Sequence, residues 1–268
     1  MDDATRPHRT TALAELAAAV IFLTRLPLPW RGHWPADLDQ RALAWFPIVG
    51  ALIGAAGGLL YWGLSLLALS PLLAAVVTVT ALTLLTGALH EDGLADVADG
   101  FGGGRDREAK LCIMKDSRVG TYGALALVLA ALLKVAALAQ LAEPRSVAAA
   151  LIAGHALSRG LLPALKLALP DARRTGLSAS QGRPNRARAL AAAVIGLCFA
   201  ATCLGKLPLG SGFTGLALLL LTAAAVAGMG RLARRQIGGI TGDVLGASQQ
   251  LAEITLLLGI VAAVGLAR

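Results

Sequence analysis

The chain has 268 residues, 56% of them hydrophobic and only 15% charged, with a formal net charge of +8. Its mean hydropathy is +0.70 and an ordinary soluble domain carries about 25% charged residues, so a soluble globular protein is excluded and an integral membrane protein is indicated. The basic excess would suit nucleic acid, but in a polytopic membrane protein basic residues are topology signals first, and no nucleic-acid partner is expected.

In chain order, residues 11 to 29 come first: an apolar stretch whose second half is interrupted by Arg25, Pro27 and Pro29, awkward in a straight span. It reads as a half-membrane, interfacial or spanning helix. No small-residue cleavage pattern follows it, so it is taken as part of the mature protein. Seven stretches of membrane-spanning length follow, at 42–69, 71–89, 120–142, 147–169, 188–205, 213–230 and 250–267. The expected fold is therefore all-α, a polytopic transmembrane helical bundle of about seven spans plus the N-terminal helix, forming one integral membrane domain over 1–268. Cys112, Cys198 and Cys203 are scattered and odd in number, which argues against structural disulfides and a thiolate metal site.

These spans divide the connections into two sets. Segments 30–41, 90–119, 170–187 and 231–249, with Arg188 at a helix boundary, hold fifteen Lys and Arg residues; the opposite set holds three, Arg145, Lys206 and Arg268. By the positive-inside rule the first set is cytoplasmic. The longest polar connections lie on that side, so any chemistry is expected at the cytoplasmic membrane surface.

The run His90-Glu-Asp-Gly-Leu-Ala-Asp-Val-Ala-Asp-Gly100 belongs to this set. Residues 71–101 read as one long helix, because no proline or glycine pair interrupts it before Gly102-Gly103-Gly104. On such a helix Asp92, Asp96 and Asp99, at i, i+4 and i+7, share one face within roughly 60° of arc. Carboxylates at that spacing suit a hard divalent cation such as Mg²⁺, which takes oxygen ligands from one or two carboxylates plus substrate phosphates. Zinc is disfavoured, since no His or Cys cluster accompanies them. The glycine triplet stops a helix and also lets backbone approach a phosphorylated ligand, which makes Gly102 and Gly103 candidate binding residues.

Residues 105–115 read as a short amphipathic helix on the membrane surface, with Leu111 and Met114 dipping into lipid or protein. Asp116 and Ser117 precede the helix near Gly120 and read either as its cap or, with Arg118, as a further carboxylate and a phosphate-binding guanidinium. Within the spans, Lys134, His155 and Arg159 are costly and are expected to face a bundle interior, with Arg159 meeting an acid or a substrate phosphate. The loop 171–186, with four arginines, faces headgroups or closes over an anionic substrate. Thr241 and Asp243 lie in the glycine-rich entrance to the last helix, either as a capped start or as a ligand-contacting turn. Together these features describe a membrane-embedded, Mg²⁺-dependent phosphotransferase.

Six ordered segments also resemble the cobalamin synthase family, the adenosylcobinamide-GDP ribazoletransferases: Phe22 to Pro27, Phe46 to Gly50, Thr86 to Gly104, Met114 to Gly120, Ser158 to Gly160 and Gly238 to Ala247. The resemblance implies a bacterial cytoplasmic (inner) membrane enzyme that transfers the adenosylcobinamide phosphate moiety of adenosylcobinamide-GDP to α-ribazole or its 5′-phosphate, releasing GMP and requiring Mg²⁺. It further implies contact with membrane lipid and leaves room for a homo-oligomer or for other corrinoid-pathway proteins as partners. On matching positions, Asp92, Asp96 and Asp116 are expected as metal contacts, and Asp99 as a ligand or general base. Arg118 and Arg159 are expected on phosphate, and His90, Gly102, Gly103, Ser117, Thr241 and Asp243 on substrate. Gln249 and Gln250 stand where the family often has glutamate, with Glu253 available one turn on. The rivals are a CDP-alcohol phosphotransferase, whose motif has an arginine where Asp96 stands, and a secondary transporter, which would need an internal repeat and a midplane site.

Overall fold

The computed structural model describes residues 11–30, 34–173 and 181–267. Part of the arginine loop, 174–180, lies outside the described residues, as do Arg31 and Arg268 of the topology count. The described chain is helical: α1 Ala12–Leu23, α2 Leu38–Ala42, α3 Phe46–Leu66, α4 Pro71–Thr86, α5 Leu89–Gly103, α6 Arg107–Ile113, α7 Thr121–Leu141, α8 Pro144–Ala168, α9 Arg186–Leu204, α10 Gly212–Ile237 and α11 Gly242–Leu266. A 3₁₀ turn, Leu43–Trp45, joins α2 to α3.

Six helical stretches are long and apolar enough to cross a membrane, and α4 with α5 makes a seventh if that bent pair is counted as one span. This is the all-α polytopic architecture that hydropathy indicates. α1 has 12 residues, about 18 Å of helix against a hydrocarbon thickness of about 30 Å, so it does not cross alone. The outward faces of α3, α7 and α10 carry exposed leucines, among them Leu59, Leu125, Leu132 and Leu220, as a lipid-facing surface requires.

The span at 71–101 is not one helix. It breaks after Thr86 and turns through 90° between α4 and α5. Gly87 takes the left-handed conformation, φ 63°, that a helix C-cap favours, and Ala88 follows it there at φ 55° despite its Cβ. The segment after α1 holds the break in place: the Arg25 backbone N–H donates to Leu85 O at 2.8 Å, and the Arg25 side chain packs where a Gly87 side chain would stand. The acidic run consequently sits on its own short helix.

α8 is the central element. Its apolar window is 78% buried, because small residues let neighbouring backbones close on it. Side chains at Gly50 and Gly54 of α3 would collide with the backbone of α8 at His155 and Leu151, and Gly160 of α8 packs against Ala192 and Gly196 of α9. The same device seats α5 on α11: a Cβ on Gly93 would lie 2.7 Å from Asp243 O, and one on Gly246 would lie 3.2 Å from the His90 Cα.

The arginine-rich connections meet at one end of the bundle. Arg107 of α6 donates to Ile237 O and Ala172 O, both at 2.9 Å. Arg173 donates to Leu111 O at 2.6 Å, and Asp171 forms a parallel bridge with Ile240. α6 thus lies across the bundle end as the amphipathic pattern predicts, and Met114 is buried in protein.

Candidate active site

α5 holds its three aspartates on one face, but its neighbours divide them. Asp92 is exposed and Asp96 partly buried. Among the described residues, no side-chain or backbone donor hydrogen-bonds to either carboxylate. Asp243, in the first turn of α11, is close enough to both for the like charges to interact. It accepts from the Thr241 hydroxyl at 3.2 Å and faces Arg173 at 3.7 Å. Thr241 also caps α11 through the Val244 N–H. The capped-start reading of this turn is therefore realised, and the cap places Asp243 beside the acidic helix.

Asp99, on the same face, meets a different neighbour. It is buried, and its two oxygens accept the Gly120 N–H at 2.7 Å and the Gly123 N–H at 2.8 Å. It thereby supplies the N-terminal cap of α7, whose own N-cap residue is a glycine without a side chain. Asp99→Ala is expected to strip both acceptors and to cost about 1–3 kcal/mol. Asp99→Asn, with one accepting oxygen left, should fall between the two. Thermal unfolding of the detergent-solubilised protein checks this, and an unchanged midpoint in Asp99→Ala would exclude the capping role.

Asp116 and Ser117, read as alternative caps of α7, do not cap it. Asp116 is taken by Arg118, whose backbone N–H and Nε donate to Oδ1 at 3.0 Å and whose Nη2 donates to Oδ2 at 2.6 Å. These hydrogen bonds hold the Asp116 carboxyl down to about 2. Asp116, expected as a metal contact, is thus engaged by Arg118 in this structure; among the described residues, no group of three or more His, Cys, Asp or Glu side chains is placed to hold a metal ion. Together with Asp99, Gly103 and Tyr122, the Asp116–Arg118 pair lines a shallow groove at the start of α7. Gly102 and Gly103 belong to the last turn of α5 rather than to a loop, and the Tyr122 ring covers Gly102.

A small pocket with a cavity volume of about 70 Å³ opens between α1, the 43–46 turn, α5, α8 and α11. Its polar lining includes Asp92, Asp243, His90, Lys166 and Gln181; its walls are Phe22, Leu43, Phe46, Leu89, Leu162 and Leu245. Sequence reading passes over Lys166, because a lysine in the last turn of a span ordinarily snorkels to the surface. Here it is 1% exposed. Arg173 is likewise legible only as one of many loop arginines.

Arg159 is not at this pocket. It lies deeper, near the middle of α8, with Nη1 2.8 Å from His155 Nδ1. Around it Lys134 Nζ meets Glu91 Oε1 at 3.2 Å and Glu253 Oε1 at 3.3 Å, and His155 Nδ1 stands 3.4 Å from Glu253 Oε2. The expectation that Lys134, His155 and Arg159 face an interior is met, with Glu253 and Glu91 as the acids. This network lines a second, inner cavity. His90 lines both cavities.

The chemistry available is that of oxygen ligands without soft donors. Asp92 and Asp96, without a hydrogen-bond donor among the described residues and crowded by Asp243, present the hard acceptor pair that Mg²⁺ takes from a protein when phosphates complete its shell. The residues present fit that ion in this partial sense, as two carboxylates and not as a closed protein cage.

Comparison with known proteins gives one consistent answer. The family model described as cobalamin-5-phosphate synthase matches residues 15–261. An adenosylcobinamide-GDP ribazoletransferase of Bradyrhizobium diazoefficiens is 47% identical over 247 residues, covering 92% of each chain. The protein of that name from Azorhizobium caulinodans is 47% identical over 254 residues, 92% of this chain and 95% of the relative. One from Ralstonia nicotianae is 41% identical over 251 residues, 92% and 94% of the two chains. No solved structure matches the chain.

Proposed function

The chain belongs to the cobalamin-5-phosphate synthase family, and from that premise we propose that it joins α-ribazole or its 5′-phosphate to the adenosylcobinamide phosphate moiety of adenosylcobinamide-GDP. A ribose hydroxyl forms the new O–P bond, the bond from that phosphorus to GMP breaks, and the hydroxyl proton is lost to the surroundings. The lipid-headgroup and transporter readings have no counterpart among these relatives.

The observation that supports this site is the carboxylate pair Asp92 and Asp96, which accepts no hydrogen bond from the described residues and lies beside Asp243, with Asp92 lining the pocket between α5 and α11. Asp92 and Asp96 would hold Mg²⁺, which supplies charge neutralisation on the pyrophosphate when bound. Arg173, already beside Asp243, adds a fixed positive charge at the same face. The apolar walls keep water from competing with the ribose hydroxyl. Asp99 acts one step removed, by fixing α7 against the acidic helix. The arginine-rich end of the bundle, and with it this face, is assigned to the cytoplasmic side of the bacterial inner membrane by the positive-inside rule.

The test is direct: purified protein, adenosylcobinamide-GDP, α-ribazole or its 5′-phosphate, and Mg²⁺, with cobamide product followed by chromatography. Product formation that depends on Mg²⁺ is expected. Absence of product at every Mg²⁺ concentration would overturn the assignment.

A further inference from the structure

Four buried polar atoms at the inner cavity have no hydrogen-bond partner among the described residues: Glu91 Oε2, His155 Nε2, Arg159 Nε and Gln250 Oε1. All four residues line that cavity, and His155, Arg159 and Gln250 are 4%, 1% and 2% exposed. The surrounding network fixes the role of each atom. Arginine only donates, so His155 Nδ1, 2.8 Å from Arg159 Nη1, accepts, and the ring proton of the neutral imidazole is assigned to Nε2. Gln250 uses both amide hydrogens, on Glu91 Oε1 at 3.0 Å and on Gln249 Oε1 at 2.9 Å, which leaves its own oxygen as an acceptor. Glu91 Oε1 also accepts from Lys134, while Oε2 accepts from none of the described residues. The unpaired atoms are thus two donors, on His155 and Arg159, and two acceptors, on Glu91 and Gln250.

Leaving such groups unpaired is costly in a buried site, and the bilayer supplies nothing to pair them. The cavity they line has a volume of about 20 Å³, and one water needs roughly 10–15 Å³. A water brings two hydrogens and two lone pairs, the complement of two acceptors and two donors. An ion does not match: a cation would face the two N–H groups and an anion the two oxygens, and Lys134 and Arg159 already balance Glu91 and Glu253. We infer that the inner cavity is a binding site for one structural water, held by His155 and Arg159 of α8, Glu91 of α5 and Gln250 of α11. Through it the helix that carries Asp92 is tied to the central helix of the bundle.

Two measurements on the full chain in detergent test this site. Hydroxyl radicals produced by X-ray radiolysis modify side chains beside a bound water even where bulk solvent does not reach. Leu138, Leu151 and Leu257 line the cavity and are 0–2% exposed. They should be modified several-fold faster than Leu23, Ile237 and Ile240, which are as deeply buried elsewhere. Equal rates in the two groups would overturn the site, and this comparison needs no variant. Gln250→Leu, which removes one acceptor at similar bulk, should bring the three leucines down towards the control rate; an unchanged rate would remove Gln250 from the site and overturn the four-point assignment. In a density map at about 2 Å resolution, a peak about 2.7–3.2 Å from donors and acceptors of this set is expected. Absence of the peak, or direct pairing of the four atoms with one another, would overturn the inference. So would a peak about 2.0–2.6 Å from Glu91 Oε2, the spacing of a hard cation.

Discussion

Asp92→Asn and Asp96→Asn are each expected to lower turnover at least about a hundredfold, beyond the 10–100-fold that second-shell partners of a metal typically carry. The substitution keeps the shape of the side chain and removes its charge. Neither carboxylate accepts a hydrogen bond from the described residues, so none of those donors is orphaned by the change. Neutralising one member of the Asp92, Asp96 and Asp243 group relieves like-charge repulsion, and the thermal midpoint should stay level or rise. Reduced activity with an unchanged or raised midpoint separates loss of a ligand from loss of structure. A Mg²⁺ titration adds a second readout: the residual activity of either variant should require a higher Mg²⁺ concentration than the wild type. A variant that turns over at the wild-type rate and Mg²⁺ requirement does not contribute a ligand.

Asp92 and Asp96 are the pair proposed to hold the ion, rather than Asp99 or Asp116, on grounds of tertiary structure. Helical periodicity correctly places Asp92, Asp96 and Asp99 on one face, because i, i+4 and i+7 depend only on the helix. It says nothing about which neighbour covers that face, and here the start of α7, lacking a capping side chain of its own, takes Asp99. Asp116 was open to two readings, and an arginine two residues along claimed both of its oxygens. The spans are legible because they follow from hydrophobicity summed over many residues. The turn between α4 and α5 depends on one glycine, Gly87, whose C-cap role only becomes plain with Arg25 packed against it. Lys166 was invisible for the opposite reason, in that its position near a helix end predicts exposure and the converging α1 and α11 deny it.

The largest loss of stability is expected from Lys134→Met. Lys134 is 7% exposed near the middle of α7 and bridges Glu91 of α5 and Glu253 of α11 at 3.2 and 3.3 Å. Gln250 donates to the same Glu91 oxygen at 3.0 Å, and Gln249 donates to the other Glu253 oxygen at 2.5 Å. With Arg159 as the second cation, the network has two fixed positive charges against two carboxylates. Removing Lys134 leaves one against two in a region sealed from bulk water, and breaking a buried pair in this way typically costs about 3–5 kcal/mol. Turnover should fall as well, since Glu91 directly precedes Asp92 and its bridge to Lys134 ties the acidic helix to α7. Charge balance makes a sharper claim than the single variant. Lys134→Met combined with Glu253→Gln restores one cation to one carboxylate, so the double variant should unfold at a higher temperature than Lys134→Met alone, although it lacks one more polar contact. A double-mutant cycle on thermal unfolding in detergent measures that coupling. Simple additivity of the two losses would mean that the network holds the helices by packing rather than by compensated charge.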